Sequence, residues 1–119
     1  MSIIKTEQEN KIIYSLGDEE LMVASFEENS ILKIEGAIKT LIAPCLDEAI
    51  KMASSKYDTY SIDFSGVSYI ASAGLRVLLN MQQDIDENDK PEVLITNVTD
   101  AVREVFEQTG FNNILTIEE

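Results

Sequence analysis

From residue 20 onward, short apolar runs alternate with polar turns. "LMVASF" (21–26) and "ILKIE" (31–35) are β-prone runs joined by the polar "EENS", which predicts a hairpin. After "GAIKTLIAP" the period lengthens. Leu46, Ala49, Ile50 and Ala53 fall at i, i+3, i+4 and i+7, one apolar face of a helix whose first turn accommodates Pro44. "YSIDF" (60–64) returns to alternation, with Tyr60, Ile62 and Phe64 on one side of a core strand. A second helix is expected over roughly 73–86, with Leu75, Val77, Leu78, Leu79 and Met81 forming a broad apolar face. "NDKP" (88–91) ends it, and "EVLIT" (92–96) is the next strand. A third helix starts near Asp100, with Val102, Val105, Phe106 and Thr109 on one face and Gly110 as its stop. "NILTIE" (113–118) closes the chain as a short strand or extended tail.

This order, β-β-α-β-α-β-α-(β), predicts an α/β domain. Crossovers of helical length imply a mixed, mostly parallel sheet of about four to five strands, flanked by three or more helices. Residues 1–19 are the least decisive part. "KIIYSL" has the pattern of a short strand and "GDEE" (17–20) that of a turn. They are read as an N-terminal extension ahead of a single domain over 20–119, with its packing open.

Length fits one domain with a real core: 119 residues, 45% of them apolar. No apolar run approaches the ~18 residues that span a bilayer, and the first residues lack a basic-then-apolar signal pattern, so a cytoplasmic protein is expected. The net charge of −13 repels phosphate backbones and anionic membranes, which makes nucleic acid and membrane poor partners and a basic protein surface a better one.

Two residue counts narrow the chemistry. Histidine is absent, which removes imidazole as general base, metal ligand or partner of a nucleophilic serine. The single cysteine, Cys45, permits no internal disulfide and reads as a small buried residue. Asp84, Asp86, Glu87 and Asp89 lack the EF-hand spacing and read as a solvated helix end. No metal, cofactor or catalytic residue is expected.

The stretch "SYIASAGLRVLL" (68–79) turns from strand-like to helix-like at Ala71, Ser72, Ala73 and Gly74. Ser72 sits where strand ends lead into helix starts, the region in which open α/β sheets bind ligands. One reading makes it an N-cap, its oxygen accepting a free first-turn N–H. Another makes it a phosphate acceptor. Free N–H groups and the positive end of the helix dipole favour a phosphate there, and its −1.5 to −2 charges would disrupt a docked partner. The flanking alanines and Gly74 would let such a partner approach closely. Asp63 reads as an acceptor for N–H groups of the following loop, Ser65 as a turn residue beside Gly66, and Arg76 as a solvated helix residue or a contact to partner or phosphate. A rival reading places a small nucleotide-binding domain or enzyme at the same edge. The missing Gly-rich phosphate loop and the few cations argue against it.

"YSIDFSGVSYIASAGLRVLL" resembles the signature of STAS domains, in particular the bacterial anti-sigma factor antagonists. The likeness extends over about 100 residues. "ILKIEGAIKT" is similar to the family's second strand ending in glycine, and "VLITNVTDAVREVFEQTGFNNILTI" to its last strand–helix–strand unit. The resemblance implies a protein-interaction switch and no enzyme. Such an antagonist binds an anti-sigma factor, a serine kinase of the histidine-kinase-like ATPase type, and so frees a sigma factor. The kinase phosphorylates the antagonist and ends binding, and a PP2C-type phosphatase restores it. On this chain the acceptor is Ser72. Asp63, Ser65 and Gly66 occupy the loop entering the motif, and Ala71, Ala73, Gly74, Leu75 and Arg76 surround the acceptor at the helix start. The motif departs from the family in carrying Ala71 where an acidic or hydroxylic residue is common, and Ala73 in place of serine or threonine. Lys39, in "GAIK", stands where many members have an aspartate, in a loop expected beside the acceptor. A constitutive, non-phosphorylated interaction or scaffold module is the alternative, and a monomer or weak homodimer is expected.

Overall fold

The computed structural model describes residues 2–118. Four strands come first and form a meander: β1 (Ile4–Glu7), β2 (Lys11–Leu16), β3 (Glu19–Glu27) and β4 (Ile31–Ile38), each antiparallel to the next. The predicted β3–β4 hairpin is present. Its turn places Asn29 and Ser30 at φ +65° and +58°, a left-handed conformation that asparagine tolerates because its side chain bonds locally. Helix and strand then alternate: α1 (Ala43–Lys56), β5 (Ser61–Ile70), α2 (Ser72–Glu87), β6 (Leu94–Thr96), α3 (Asp100–Thr109) and β7 (Thr116–Ile117).

All seven strands join one sheet in sequence order, β1 at one edge and β7 at the other. Pairing is antiparallel from β1 to β4 and parallel from β4 to β7. The sheet is therefore mixed, as the element order predicts, but it has seven strands and not four to five, and half of its pairings are antiparallel. The difference arises mainly at the N-terminus. The stretch read as an extension supplies β1 and β2, and the alternation of "KIIYSL" buries Ile12 and Tyr14 against the core.

Alternate positions of the sheet line the core: Ile12, Tyr14, Met22, Ala24, Leu32, Ile34, Ile62, Phe64 and Ile95 are buried, while Ile13, Val23, Lys33, Asp63 and Thr96 between them stay half-exposed. The predicted faces of the helices pack on these positions. Leu46, Ala49, Ile50 and Ala53 of α1 are buried, as are Leu75, Val77, Leu78 and Met81 of α2 and Val102 and Phe106 of α3. Each large apolar side chain removed from water in this way contributes about 1.5–3 kcal/mol before entropy is charged against it. Thr109 is the exception on the α3 face. It is exposed, and its hydroxyl donates to the Val105 carbonyl 2.7 Å away.

Candidate functional site

The site forms where β4 and β5 end side by side. Ile38 pairs with Ile70, and the Ile38 carbonyl accepts the Ala71 N–H at 2.8 Å, which ties the start of α2 to the end of β4. Lys39 follows directly and is exposed. Its carbonyl accepts the Ile42 N–H at 3.0 Å and closes a short 3-10 turn over Thr40–Ile42. On the far side, Thr99 donates its hydroxyl to the Val67 carbonyl at 2.8 Å and pins the start of α3 to β5.

The helix start differs from the sequence expectation in one respect. Ala71 is the N-cap residue, with extended φ/ψ of −83° and 169°, and Ser72 is the first helical residue, with no side-chain cap bond. The Ala71 carbonyl receives the Gly74 and Leu75 N–H groups at 2.9 and 3.0 Å. Ser72 therefore does not cap α2. Already helical, its oxygen stands one position too far along to reach back over the first turn. The N–H groups of Ser72 and Ala73 remain free of intrahelical acceptors, and the Ser72 side chain is exposed beside them.

Gly74 and Leu75 are buried, and Ala71 and Ala73 are half-buried. A Cβ built on Gly74 would stand 2.7 Å from Ile70 Cγ1 and 2.9 Å from Ile38 Cγ2. The glycine thus lets α2 close onto the two strand ends and does not open the surface to a partner. Ser72 and Arg76 are the exposed positions of 71–76, and at i, i+4 spacing they share one face of the helix.

Asp63, Ser65 and Gly66 do not lie in a loop. The strand β5 continues through them to Ile70, with register shifts against β4 on either side of Gly66. Asp63 Oδ1 accepts the Ser65 N–H at 2.8 Å, the local role expected of it. Gly66 sits across from Glu35, where a Cβ would come within 2.6 Å of Glu35 Cγ. At ~3.3 Å per residue, the nine steps from Asp63 to the start of α2 at Ser72 span roughly 25–30 Å. These residues shape the strand that presents Ser72 and do not converge on it.

Two residues that the sequence reading passed over complete the surface. Leu41 in the 3-10 turn is 57% exposed and Tyr69 at the end of β5 is 49% exposed. Tyr69 pairs with Ala37, one step from the Ile38–Ile70 pair that carries the α2 start. Strand alternation was the available signal, since the burial of Ile70 sends Tyr69 to the opposite face. The segments that meet at this junction thus carry exposed apolar Leu41 and Tyr69, exposed cationic Lys39 and Arg76, and the unengaged hydroxyl of Ser72.

The rest of the molecule offers little chemistry. A groove of about 680 Å³ lies between the C-terminal halves of α1 and α2, at the other end of β5 from Ser72. The two lysines that line it are already paired, Lys51 with Asp47 at 2.9 Å and Lys90 with Asp84 at 2.6 Å, so it presents no free cation to a phosphate. Cys45 is half-buried, and burial pushes its thiol above the usual range. Among the described residues no group of three or more potential ligands could hold a metal ion, and no helix is long and apolar enough to cross a membrane.

Comparison with known proteins fits this architecture. A family model described as "Mlab, STAS domain" matches residues 21–116. The chain belongs to the STAS domain family. An anti-sigma-B factor antagonist of Staphylococcus aureus is 28% identical to this STAS protein over 90 residues, which cover 74% of this chain and 82% of the relative. An anti-sigma factor antagonist from Mycobacterium paratuberculosis has the same fold, with a TM-score of 0.66 at 21% identity over 81% of this chain and 84% of the other. The anti-sigma factor antagonist SpoIIAA, solved in its unphosphorylated form, aligns with a TM-score of 0.60 at 16% identity over 81% of this chain and 86% of its own.

Proposed function

We propose that this STAS protein is an anti-sigma factor antagonist, which docks an anti-sigma factor through the Ser72 face and is released when Ser72 is phosphorylated. The observation that carries the reading is the state of Ser72: exposed at the first turn of a 16-residue helix, with no capping bond for its hydroxyl to give up. Relatives named as anti-sigma factor antagonists support the choice of partner.

The partner in this reading is a serine kinase of the histidine-kinase-like ATPase type. Leu41 and Tyr69 supply apolar contact area, and Lys39 and Arg76 supply charge at the rim, where it governs encounter and partner choice more than affinity. While docked, the Ser72 oxygen attacks the γ-phosphorus of the kinase's ATP. ADP leaves with the bridging oxygen, and the hydroxyl proton passes to a base of the kinase. The free N–H groups of Ser72 and Ala73 and the dipole of α2 stabilise the phosphate on the free protein. In the complex the same −1.5 to −2 charges must be desolvated against an apolar contact, so binding is lost. A PP2C-type phosphatase hydrolyses the ester and resets the switch. Residues 20–119 form the STAS unit of this reading, and the cytoplasm is its compartment.

A second reading is favoured by Ala71 and Ala73, which replace the hydroxylic and acidic neighbours common in the family, and by Lys39. In it the same face binds constitutively. Intact mass after incubation with the partner and ATP separates the two. The switch requires a gain of one phosphate that Ser72→Ala abolishes, and the absence of that gain with an active kinase leaves the constitutive module.

A further inference from the structure

The edge strand β1 lies outside the STAS match, at the far side of the sheet from α2 and β7. Its four residues, Ile4, Lys5, Thr6 and Glu7, are all exposed, Ile4 to 54%. The Gln8 N–H donates to the Lys11 carbonyl at 2.8 Å, which makes Gln8 and Lys11 the hydrogen-bonded pair that closes the β1–β2 turn. Hydrogen-bonded pairs alternate along an antiparallel ladder. The unbroken register Glu7–Ile12, Thr6–Ile13, Lys5–Tyr14, Ile4–Ser15 therefore directs the N–H and C=O of Ile4 and Thr6 at β2. Those of Lys5 and Glu7 point off the open edge.

We propose that β1 pairs antiparallel with β1 of a second copy of this chain, Lys5 of each copy opposite Glu7 of the other. Only residues with outward N–H and C=O groups can exchange hydrogen bonds across such an edge, which limits Lys5 and Glu7 to facing each other or themselves. A register of Lys5 on Lys5, or of Glu7 on Glu7, sets like charges directly opposite and is disfavoured. The register that remains is two-fold symmetric, has two Lys5–Glu7 pairs, and puts Thr6 on the axis facing Thr6. Lys5 already bonds Glu48 at 2.6 Å and stays 37% exposed, and its ammonium has further donors for the second carboxylate.

Charges on an edge strand also guard it against pairing. A guard needs only charge, whereas here the alternation of charge matches the alternation of free backbone groups. The contact is small and each copy carries a net charge of −13, so the pairing is weak and exchanging, well short of an obligate dimer.

Position 6 tests it without a need for tight binding. In the proposed register Thr6 faces its copy as a non-hydrogen-bonded pair, with Cα atoms about 4.5 Å apart, inside the ~4.4–6.8 Å range a disulfide spans. In a Cys45→Ser background, Thr6→Cys is compared under mild oxidation with the exposed control Gln108→Cys, with dimer formation followed on non-reducing gels. Both sites are exposed, so both variants fold. The expected result is faster cross-linking of Thr6→Cys, slowed roughly tenfold by Glu7→Lys, which sets two like-charge pairs opposite each other. Cross-linking no faster than the Gln108→Cys control overturns the pairing, and a rate indifferent to Glu7→Lys overturns its register.

Discussion

Ser72 shows how one backbone step separates two roles. At the N-cap its oxygen would hold a first-turn N–H, and removing it would cost about 1 kcal/mol. At the first helical position it holds none. Ser72→Ala should accordingly leave stability within about 0.5 kcal/mol of the parent, as measured by urea denaturation; a loss near the capping value would mean the hydroxyl is engaged after all. Gln82 presents the converse case. It is only 5% exposed, and its amide nitrogen donates to Asp86 and Glu92 at 3.1 Å each, yet its buried Oε1 has no partner. An unsatisfied buried acceptor costs about 1–3 kcal/mol. Gln82→Met, close in volume, should be neutral or stabilising in the same denaturation, since the carboxylates it abandons are reached by water. A glutamine at the edge of an amphipathic stripe reads as surface, and its bond across to Glu92, ten residues on, is visible only in the fold.

At the scale of elements, the helices were legible because each carries its own period, and burial follows that period almost residue by residue. Strand β5 was legible only to Phe64. Beyond it the glycine and serines weaken the apolar alternation, and pairing with β4 across two register shifts carries the strand on to Ile70. Gly36 belongs to the same region. Its φ of +130° lies outside the range of other residues, and an added Cβ would collide with the Leu21 carbonyl oxygen across the β3–β4 pair. Gly36→Ala should cost about 2 kcal/mol or more from strain and displaced backbone, seen as a lower denaturation midpoint with an unchanged slope. The first hairpin is joined to α1 by another route. Glu48 accepts the Tyr14 hydroxyl at 3.0 Å and pairs with Lys5 at 2.6 Å. The bond from Lys5 holds the Glu48 carboxyl below its usual 4.5, and the same bond chiefly raises Lys5 above 10.5. A depressed carboxyl stabilises above its unfolded value and loses that contribution as pH falls through the folded one. A raised lysine loses its contribution as pH rises through its own folded value. The link is thus complete between about pH 4.5 and 10.5. Below that window, NMR resonances of β1 and Tyr14 should shift together, and Glu48→Gln should remove the acid step.

On the scale of the whole molecule, the family, the α/β class and the place of Ser72 at a strand-to-helix junction were all readable from one chain, because the motif and the helical periods agree. What escaped the sequence is collective. The exposure of Leu41 and Tyr69 near the paired ends of β4 and β5 depends on that pairing, and the seven-strand sheet depends on a hairpin whose apolar positions number too few to stand out. The charge distribution is collective too. A chain with 22 acidic and 9 basic residues still places two exposed cations, Lys39 and Arg76, on the segments that meet at the Ser72 junction. The central claim is that binding to the anti-sigma factor is governed by charge at Ser72. Its most direct test is isothermal titration of the anti-sigma factor captured from the native host against the wild-type chain, Ser72→Ala and Ser72→Asp. Wild type and Ser72→Ala should bind alike, and Ser72→Asp at least about tenfold more weakly, the loss of roughly 1.4 kcal/mol expected when a charge is buried against an apolar contact. Equal affinity of Ser72→Asp and wild type would contradict the account.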